Sequence, residues 1–460
     1  MNNSGLFSDF PETSAKAWKQ KIQVDLKGED YNERLVRESP EGIKVKPFYH
    51  SEDLEKLNLT GLQRNTTWEI GQSVYAGDAV AANKKAMGAI KMGAESIHFT
   101  VPNEEVTPRE LLRKINLKKT KVHFNLQFLS PTYVASILNT AGNDSPNIFL
   151  NIDIIGNLAR SGNWFRNLEA DFRAMDTICA LDHTSTLGID LSLYENAGAD
   201  RAQQLAYALA HANEYLNRLD RGNKEVLKNT RFTYTVSLGS DYFFEIAKLR
   251  ALRILFGTLA VEYGALPNCH IIALPTKRNK TLYDYNNNLL RTTTECMSAI
   301  LGGADTVYNM PYDAIYHKEN DFGTRMARNQ LLLLKHESHF NKVGNAADGS
   351  YYIEVLTQQL ANKALQLFKQ IEAGGGFLNQ LKQHIIQKKI KESALKEQER
   401  FNGQEKILIG SNKYQMEVEK IKNNLELYPF VKTHARKTLI EPILEKRLSE
   451  ALEQERLKHE

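Results

Sequence analysis

Residues 96–101, Ser-Ile-His-Phe-Thr-Val, begin a series of eight short runs rich in β-branched and aromatic residues between residues 95 and 311. A polar loop follows each run, and a stretch with apolar residues at three- and four-residue spacing usually comes next. The runs cover residues 96–101, 122–126, 147–153, 177–182, 187–191, 232–236, 270–274 and 305–310. Eight strands alternating with helices predict an α/β fold of the TIM type, a (β/α)8 barrel, with a doubly wound sheet as the alternative.

The helical stretches between the runs are clear in four places, at residues 108–117, 199–219, 242–263 and 287–301. The fourth and fifth runs are separated only by residues 183–186, which is too short for a helical crossover between parallel strands. We therefore expect one irregular βα unit, or one wrong strand prediction, in this region.

The two flanks of the repeating region have a different character. Residues 1–67 are rich in charge, contain Pro40 and Pro47, and have too few apolar residues for a core of their own. We interpret them as a partner-binding arm, with an arm folded back on its own barrel as the alternative. Residues 68–350 would form the barrel, and residues 351–460 a C-terminal helical extension.

The end of the chain has a pattern of its own. Ile440, Leu444, Leu448 and Leu452 recur every four residues among dense opposite charges. This spacing predicts a terminal helix over residues 433–460. The helix would either be solvated or dock on a partner.

Composition excludes several classes of protein. The 460 residues are 42% hydrophobic and 25% charged, and 59 basic against 55 acidic residues leave a net charge of only +4, so no nucleic-acid partner is expected. The three cysteines are widely spaced, which argues against a disulfide framework and a thiolate zinc site. No signal peptide and no apolar run long enough to span a membrane is present. We therefore expect a cytoplasmic protein without a membrane partner.

Few polar residues stand where a barrel enzyme would use them. Asp182, His183 and Asp190 lie at predicted strand ends, where active-site loops begin, and would be the first candidates for an acid and a base. Solvated or capping roles are the alternative. The triplet 374–376, Gly-Gly-Gly, follows a helical run and lacks the lysine and hydroxyl of a phosphate loop, so it predicts a helix stop and a turn. The 12 histidines form no metal-ligand pattern, and no metal site is predicted.

Several blocks, in order across nearly the whole chain, resemble the methylmalonyl-CoA mutase family. The blocks are 39–49 (SPEGIKVKPFY), 287–293 (NNLLRTT), 327–329 (ARN), 348–357 (DGSYYIEVLT), 371–375 (IEAGG) and 409–414 (IGSNKY). The resemblance implies a substrate-binding (β/α)8 barrel and an N-terminal arm that embraces a second subunit. It therefore agrees with the strand count made from the sequence pattern.

The resemblance also has consequences for the cofactor. The catalytic chains of that family carry a further domain, which binds adenosylcobalamin through the motif Asp-x-His-x-x-Gly. Here Lys432 stands where the aspartate should precede His434, and His459 is the penultimate residue. We therefore expect no cobalamin-binding domain and no cofactor on this chain, with adenosylcobalamin on a large partner subunit.

Three motifs of the catalytic members are altered in this chain. A gapless match from Ile70 to Asn83 sets Ser73 against a tyrosine that lies against substrate and corrin. Leu193 stands where a histidine hydrogen-bonds the thioester carbonyl, and leucine cannot donate a hydrogen bond. Ile272 and Leu274 replace the histidine and glutamine of His-x-Gln-Thr. We therefore expect no catalytic residue at these positions.

The resemblance also bears on the barrel interior, because it implies a pantetheine arm running along the barrel axis between small polar side chains. Several residues of the predicted strands are bulky instead, and strand alternation must turn some of them inward. They are His123, Phe124, Phe149, Tyr234 and Tyr308. We therefore predict a filled barrel without a through-channel.

Together, the resemblance and the replacements imply a non-catalytic subunit, of the kind called small or beta. It would support a large (alpha) subunit that interconverts methylmalonyl-CoA and succinyl-CoA, and it could form a homodimer when alone. The alternative is the substrate-binding subunit of a related acyl-CoA mutase whose cobalamin domain is on another chain. A third possibility is a stand-alone binding barrel.

Overall fold

The computed structural model describes residues 12–55, 57, 67–181, 183, 186–344, 346–432 and 436–460. The arm begins with helices and a small antiparallel ladder formed by β1 and β2. Its elements are α1 (Ala15–Asp25), α2 (Tyr31–Leu35), β1 (Arg37–Glu38), β2 (Lys44–Val45) and α3 (Ser51–Leu54). Ile43 and Val45 belong to the main hydrophobic core, whereas α1 has no buried residue. The second half of the arm thus folds back on its own barrel, and α1 stays exposed.

The central region alternates strands and helices. Its elements are β3 (Glu69–Tyr75), α4 (Ala79–Lys91), β4 (Ser96–Val101), α5 (Pro108–Leu111), β5 (Lys121–Leu126), α6 (Pro131–Ala141), β6 (Ile148–Phe149), α7 (Ile154–Ser161), α8 (Leu168–Cys179), β7 (Gly188–Asp190), α9 (Ser192–Ala197), α10 (Arg201–Gly222), α11 (Lys224–Asn229), β8 (Thr233–Leu238), α12 (Tyr242–Glu262), β9 (His270–Pro275), α13 (Asn287–Leu301), β10 (Thr306–Tyr308) and α14 (Asp321–Leu332). Short helical turns cover Gly142–Asn147 and Leu333–Glu337.

The eight central strands are all parallel and curl into a barrel. Their order is β6-β5-β4-β3-β10-β9-β8-β7. A parallel bridge between Ile152 and Leu187 joins the two edges, since Ile152 N–H donates to the Thr186 carbonyl at 2.9 Å and Gly188 N–H to the Ile152 carbonyl at 3.1 Å. The predicted TIM-like α/β fold is confirmed, and the doubly wound alternative is wrong.

One predicted strand is wrong and one strand was missed. The run 177–182 is not a strand, because residues up to Cys179 belong to α8, whose Met175 and Ile178 are buried at three-residue spacing; Asp182 lies outside the described residues. The missing eighth strand is β3, whose polar Gln72 and Ser73 gave little local signal. The strand β3 is stabilised by backbone hydrogen bonds to two neighbouring strands, β4 and β10.

Helices and an extended tail follow the barrel. They are α15 (Tyr351–Ala373), α16 (Phe377–Lys382), α17 (Ile385–Asn402), a short turn Lys422–Asn424 and α18 (Glu450–Lys458). As predicted, the glycine triplet stops a helix, since α15 ends at Ala373 and Gly375 and Gly376 have φ of 94° and 89°. None of the described helices is long and apolar enough to cross a membrane.

The predicted terminal helix is wrong for residues 436–449, which are not helical. Pro442 lies within this stretch and cannot donate the hydrogen bond that a helix interior requires. Instead the segment lies on the barrel, and Ile443 N–H donates to the Ala159 carbonyl at 2.8 Å. Ile440 and Leu448 are buried, but Leu444 between them is 46% exposed, so the residues spaced four apart do not share a face.

Candidate functional site

The barrel mouth, formed by the C-terminal ends of the strands, is where a TIM-like barrel carries its chemistry. Ser73 on β3 is in register with His98 on β4, which is in register with His123 on β5 and through it with Phe149 on β6. Side chains in register share one face of a sheet, so these four point to the same side. Ser73 is exposed, whereas His123 and Phe149 are buried.

Rings from five strands meet inside the barrel. We call His98, His123, Phe149, His270 and Tyr308 the ring plug. The His123 ring centre lies 4.4 Å from that of Phe149 and 5.1 Å from that of His270, and the His98 and Tyr308 centres are 5.4 Å apart. These rings fill the interior at this level, as the bulky strand residues predicted.

Two of the bulky residues face outward instead. Phe124 packs against Phe99 with ring centres 5.9 Å apart, and Tyr234 packs against Phe256 of α12 at 5.3 Å. Both belong to the core between the strands and the surrounding helices. The sequence pattern could not distinguish the inward-facing from the outward-facing bulky residues, because the direction of each side chain depends on strand register.

The histidines of the ring plug are held neutral. Burial lowers the pKa of His98 and of His270 to about 4, and burial together with the two neighbouring histidines lowers the pKa of His123 well below its usual range. His270 Nε2 is 3.0 Å from the Thr306 hydroxyl. Neither ring nitrogen of His123 has a hydrogen-bond partner among the described residues. Burying a polar ring without hydrogen-bond partners costs free energy of folding, although the neutral His123 ring adds no charge to the interior.

Two of the predicted replacement positions share a strand with a residue of the ring plug, and a third lies in the hydrophobic core. Ile272 and Leu274 alternate with His270 on β9, so the same face of the strand turns apolar toward the mouth. Leu193 lies on α9, directly after β7, and is 1% exposed within the hydrophobic core. It is therefore held by packing, not presented to the mouth. That none of these residues is catalytic stays a prediction.

The candidate acid Asp190 is engaged structurally. Its Oδ2 pairs with Arg160 Nη2 at 2.6 Å, and its Oδ1 accepts hydrogen bonds from the Ser192 N–H at 2.9 Å and hydroxyl. Arg160 also contacts Glu445 of the C-terminal tail, and Lys277 pairs with the same carboxylate at 3.1 Å. Asp190 therefore has the capping role that was the alternative to catalysis, and it also forms an ion pair with Arg160.

The candidate base His183 does not contact Asp190 within the described part of the chain. His183 Nε2 lies 2.9 Å from the Ile148 carbonyl, at the start of β6. Asp182 lies outside the described residues. The structure therefore does not join His183 to Asp190 among the residues that it describes. The acid and base that do meet beside Asp190 are Asp153 and His211, with Oδ1 2.9 Å from Nε2, and the Asp190 N–H donates to Asp153 Oδ2 at 3.4 Å.

Sequence reasoning missed Tyr75. It lies two residues after Ser73 on the same face of β3 and is 58% exposed, at the very end of the strand. Its Cε1 lies 3.0 Å from where a Cβ of Gly77 would be, so the ring folds over that residue. The signal was present as Tyr75-Ala76-Gly77, which has a tyrosine directly before Ala-Gly.

The comparisons with known proteins agree on one family. Residues 108–458 match the family described as Methylmalonyl-CoA mutase. The methylmalonyl-CoA mutase small subunit of Porphyromonas gingivalis is 33% identical over 442 residues, covering 89% of this chain and 71% of that protein. The small subunit of Propionibacterium freudenreichii subsp. shermanii is 27% identical, covering 81% of this chain and 64% of that protein.

A large subunit matches as well. The methylmalonyl-CoA mutase large subunit of Porphyromonas gingivalis is 30% identical over 272 residues, covering 56% of this chain and 38% of that protein. The same organism therefore has proteins named as small and large subunits. This chain spans 71% and 64% of the length of the two small subunits. By the extent of these matches, the chain belongs to the methylmalonyl-CoA mutase family.

Proposed function

We propose that this chain is the non-catalytic small subunit of a methylmalonyl-CoA mutase. It supports a large subunit that binds adenosylcobalamin and interconverts methylmalonyl-CoA and succinyl-CoA. The observation that carries the proposal is the ring plug, because His123, Phe149 and His270 occupy the interior in which the family's acyl-CoA would extend.

Two of the replacement positions support the same proposal. Ile272 is 1% exposed and Leu193 is 1% exposed, and neither side chain has a polar atom. Stabilising charge on a thioester oxygen requires a donor aimed at that oxygen. Apolar groups packed into the core cannot supply one, so the chemistry falls to the partner chain.

The N-terminal arm supports a role in assembly. In α1 the Trp18 side chain is 45% exposed, although its ring stacks on Phe48 with centres 4.3 Å apart, and Val24 is 71% exposed. An amphipathic helix with no buried residue leaves apolar surface for another chain to cover. We propose that the large subunit covers it.

The test combines turnover and binding. The isolated chain should neither convert methylmalonyl-CoA, with or without added adenosylcobalamin, nor bind it with micromolar affinity in calorimetry. Mixed with the large subunit, it should form a stable complex with turnover. Leu193→His should not produce turnover in the isolated chain. Turnover or micromolar substrate binding by the wild-type chain alone would refute the non-catalytic assignment.

One observation favours a second candidate function. Tyr75 is an exposed tyrosine at the barrel mouth, which suits a substrate-binding subunit whose cobalamin domain is on another chain. In the complex, Tyr75→Phe and Tyr75→Ala should leave turnover within about twofold if this chain only supports its partner. A loss of about a hundredfold in kcat would favour the second candidate.

A further inference from the structure

Arg328 of α14 is a buried arginine without a counter-ion in the described part of the chain. It is 4% exposed, and its guanidinium makes two hydrogen bonds within the described residues. Nη1 donates to Gln72 Oε1 at 3.2 Å and Nη2 to Met92 Sδ at 3.5 Å, whereas Nε has no partner. A guanidinium has five N–H donors, so most of its capacity is unused.

The other buried arginines behave differently. Four more arginines in the described residues are buried to a similar extent, and each forms an ion pair with a carboxylate. The pairs are Arg250 with Asp348 and Glu354, Arg253 with Asp305, Arg278 with Glu397, and Arg447 with Glu453. Only burial acts on Arg328, and it lowers the pKa of the guanidinium. This chain therefore pairs its buried arginines as a rule, and Arg328 departs from it.

Helices α4 and α14 flank the Arg328 side chain. We call their exposed outer residues the α4/α14 face; they are Val80, Lys84, Lys91, Met92, Phe322, Arg325 and Leu333. Lys85 of α4 pairs with Glu319, just before α14, at 2.7 Å. At the other end Gly93, after α4, lies so close to Leu332 of α14 that a Cβ there would be 2.8 Å from Leu332 Cδ2. The two helix ends are thus in contact, and Met92, which covers Arg328, lies between them.

This face is both apolar and basic. Four large apolar side chains on it are 45% exposed or more; they are Val80, Met92, Phe322 and Leu333. Lys84, Lys91 and Arg325 are exposed and form no ion pair within the described residues, whereas Glu95 is taken up by Lys335. Such a combination around a desolvated arginine is typical of a binding hot spot with a less critical rim.

We propose that the α4/α14 face is the interface with the large subunit. On binding, the Met92 side chain moves aside, and a carboxylate side chain of the large subunit forms an ion pair with Arg328. The partner thereby supplies the counter-ion that this chain lacks, and its apolar surface covers Met92 and Phe322. The identity of this partner rests on the proposed function. Arg328 is a binding residue in this arrangement and takes no part in the reaction.

The proposal predicts opposite effects on the isolated chain and on the complex. Arg328→Met removes an uncompensated charge while keeping most of the side-chain volume, so the melting temperature of the isolated chain should stay equal or rise. The same variant should weaken binding to the large subunit about tenfold or more. A merely structural arginine would show the reverse, with a lower melting temperature and unchanged binding.

Two further variants sharpen the experiment. Met92→Glu supplies a carboxylate from within the chain, so it should raise the melting temperature and weaken binding to the large subunit. Arg173→Met, on α8 and outside the α4/α14 face, removes an exposed arginine; it is the matched control and should change binding by less than about threefold. Melting is followed by scanning fluorimetry and binding by calorimetry with the purified large subunit.

The outcomes separate the two proposals. If the wild-type chain binds the large subunit and Arg328→Met binds equally well, the interface assignment is wrong and the proposed function stands. If Arg328→Met lowers the melting temperature of the isolated chain, Arg328 is satisfied within the chain and the assignment is also wrong. If the wild-type chain does not bind a large subunit, both the proposed function and this partner are wrong.

Discussion

Glu41 of the N-terminal arm contacts Arg201 of α10, with Oε1 2.8 Å from Nη1, and the Glu41 side chain is completely shielded from solvent. Burial raises the pKa of Glu41, but the charge of Arg201 and a hydrogen bond from Ser39 outweigh it and hold the pKa below its usual value. Arg201 also bonds Glu245 of α12 at 2.9 Å. This contact divides the arm into an anchored part and the exposed helix α1.

Glu41→Ala should destabilise the isolated chain by about 2 kcal/mol, because it removes a charge-assisted hydrogen bond while Arg201 keeps Glu245 as a partner. Urea unfolding at neutral pH measures the loss. Glu38→Ala, three residues earlier and exposed, is the control and should change stability by less than about 0.5 kcal/mol. Equal effects of the two substitutions would show that the Glu41 contact contributes nothing specific.

Deletion of residues 1–38 removes α1, α2 and β1 but leaves Glu41 and its anchor. The truncated chain should therefore keep its fold, as seen by circular dichroism, while its affinity for the large subunit falls. The cause is the loss of the exposed Trp18 and Val24 surface. Co-purification at undiminished affinity would show that α1 is not part of the interface.

The ring plug makes stability depend on pH. His98 and His270 have pKa values of about 4 in the folded chain, whereas an unfolded histidine titrates near 6.5. The unfolded state therefore binds more protons between these values, so stability is complete above about pH 6.5 and falls as the pH drops toward 4. Urea unfolding at pH 7.5, 6 and 5 should give decreasing free energies. A flat profile would contradict neutral, buried histidines.

A matched pair of substitutions tests the cost of the His123 nitrogens. His123→Phe replaces a ring with two unpartnered nitrogens by an apolar ring of similar shape, and should stabilise the chain by about 1 kcal/mol. His270→Phe loses the contact with Thr306 and should destabilise it instead. Both are measured at pH 7.5 by urea unfolding. A loss of stability in His123→Phe would mean that its nitrogens are satisfied in solution.

Neighbouring residues of the C-terminal tail report on its conformation. Ile443 is 5% exposed and Leu444 is 46% exposed. Ile443→Ala should cost about 3 kcal/mol of unfolding free energy, whereas Leu444→Ala should cost less than about 0.5 kcal/mol. The predicted helix with Leu444 on its apolar face would reverse this order, so the pair distinguishes the extended tail from a helix.

Strong local patterns were enough for part of the fold. The spacing in residues 287–301 predicted α13 to the residue, and the alternation in residues 96–101 predicted β4, because each element buries one face with the period of its own backbone. Three altered motifs could also be identified from the sequence through the family resemblance, at Ser73, Leu193 and Ile272.

Tertiary structure decided the rest. The sequence pattern of β3 is weak, and this strand forms because β4 and β10 both pair with it. The apolar residues within 177–179 lie instead on the buried face of the helix α8. The ring plug depends on strand register, which sets the facing of side chains far apart in the chain. Likewise, the lack of a counter-ion for Arg328 among the described residues follows from how the neighbouring elements pack around it, and no local sequence pattern shows it.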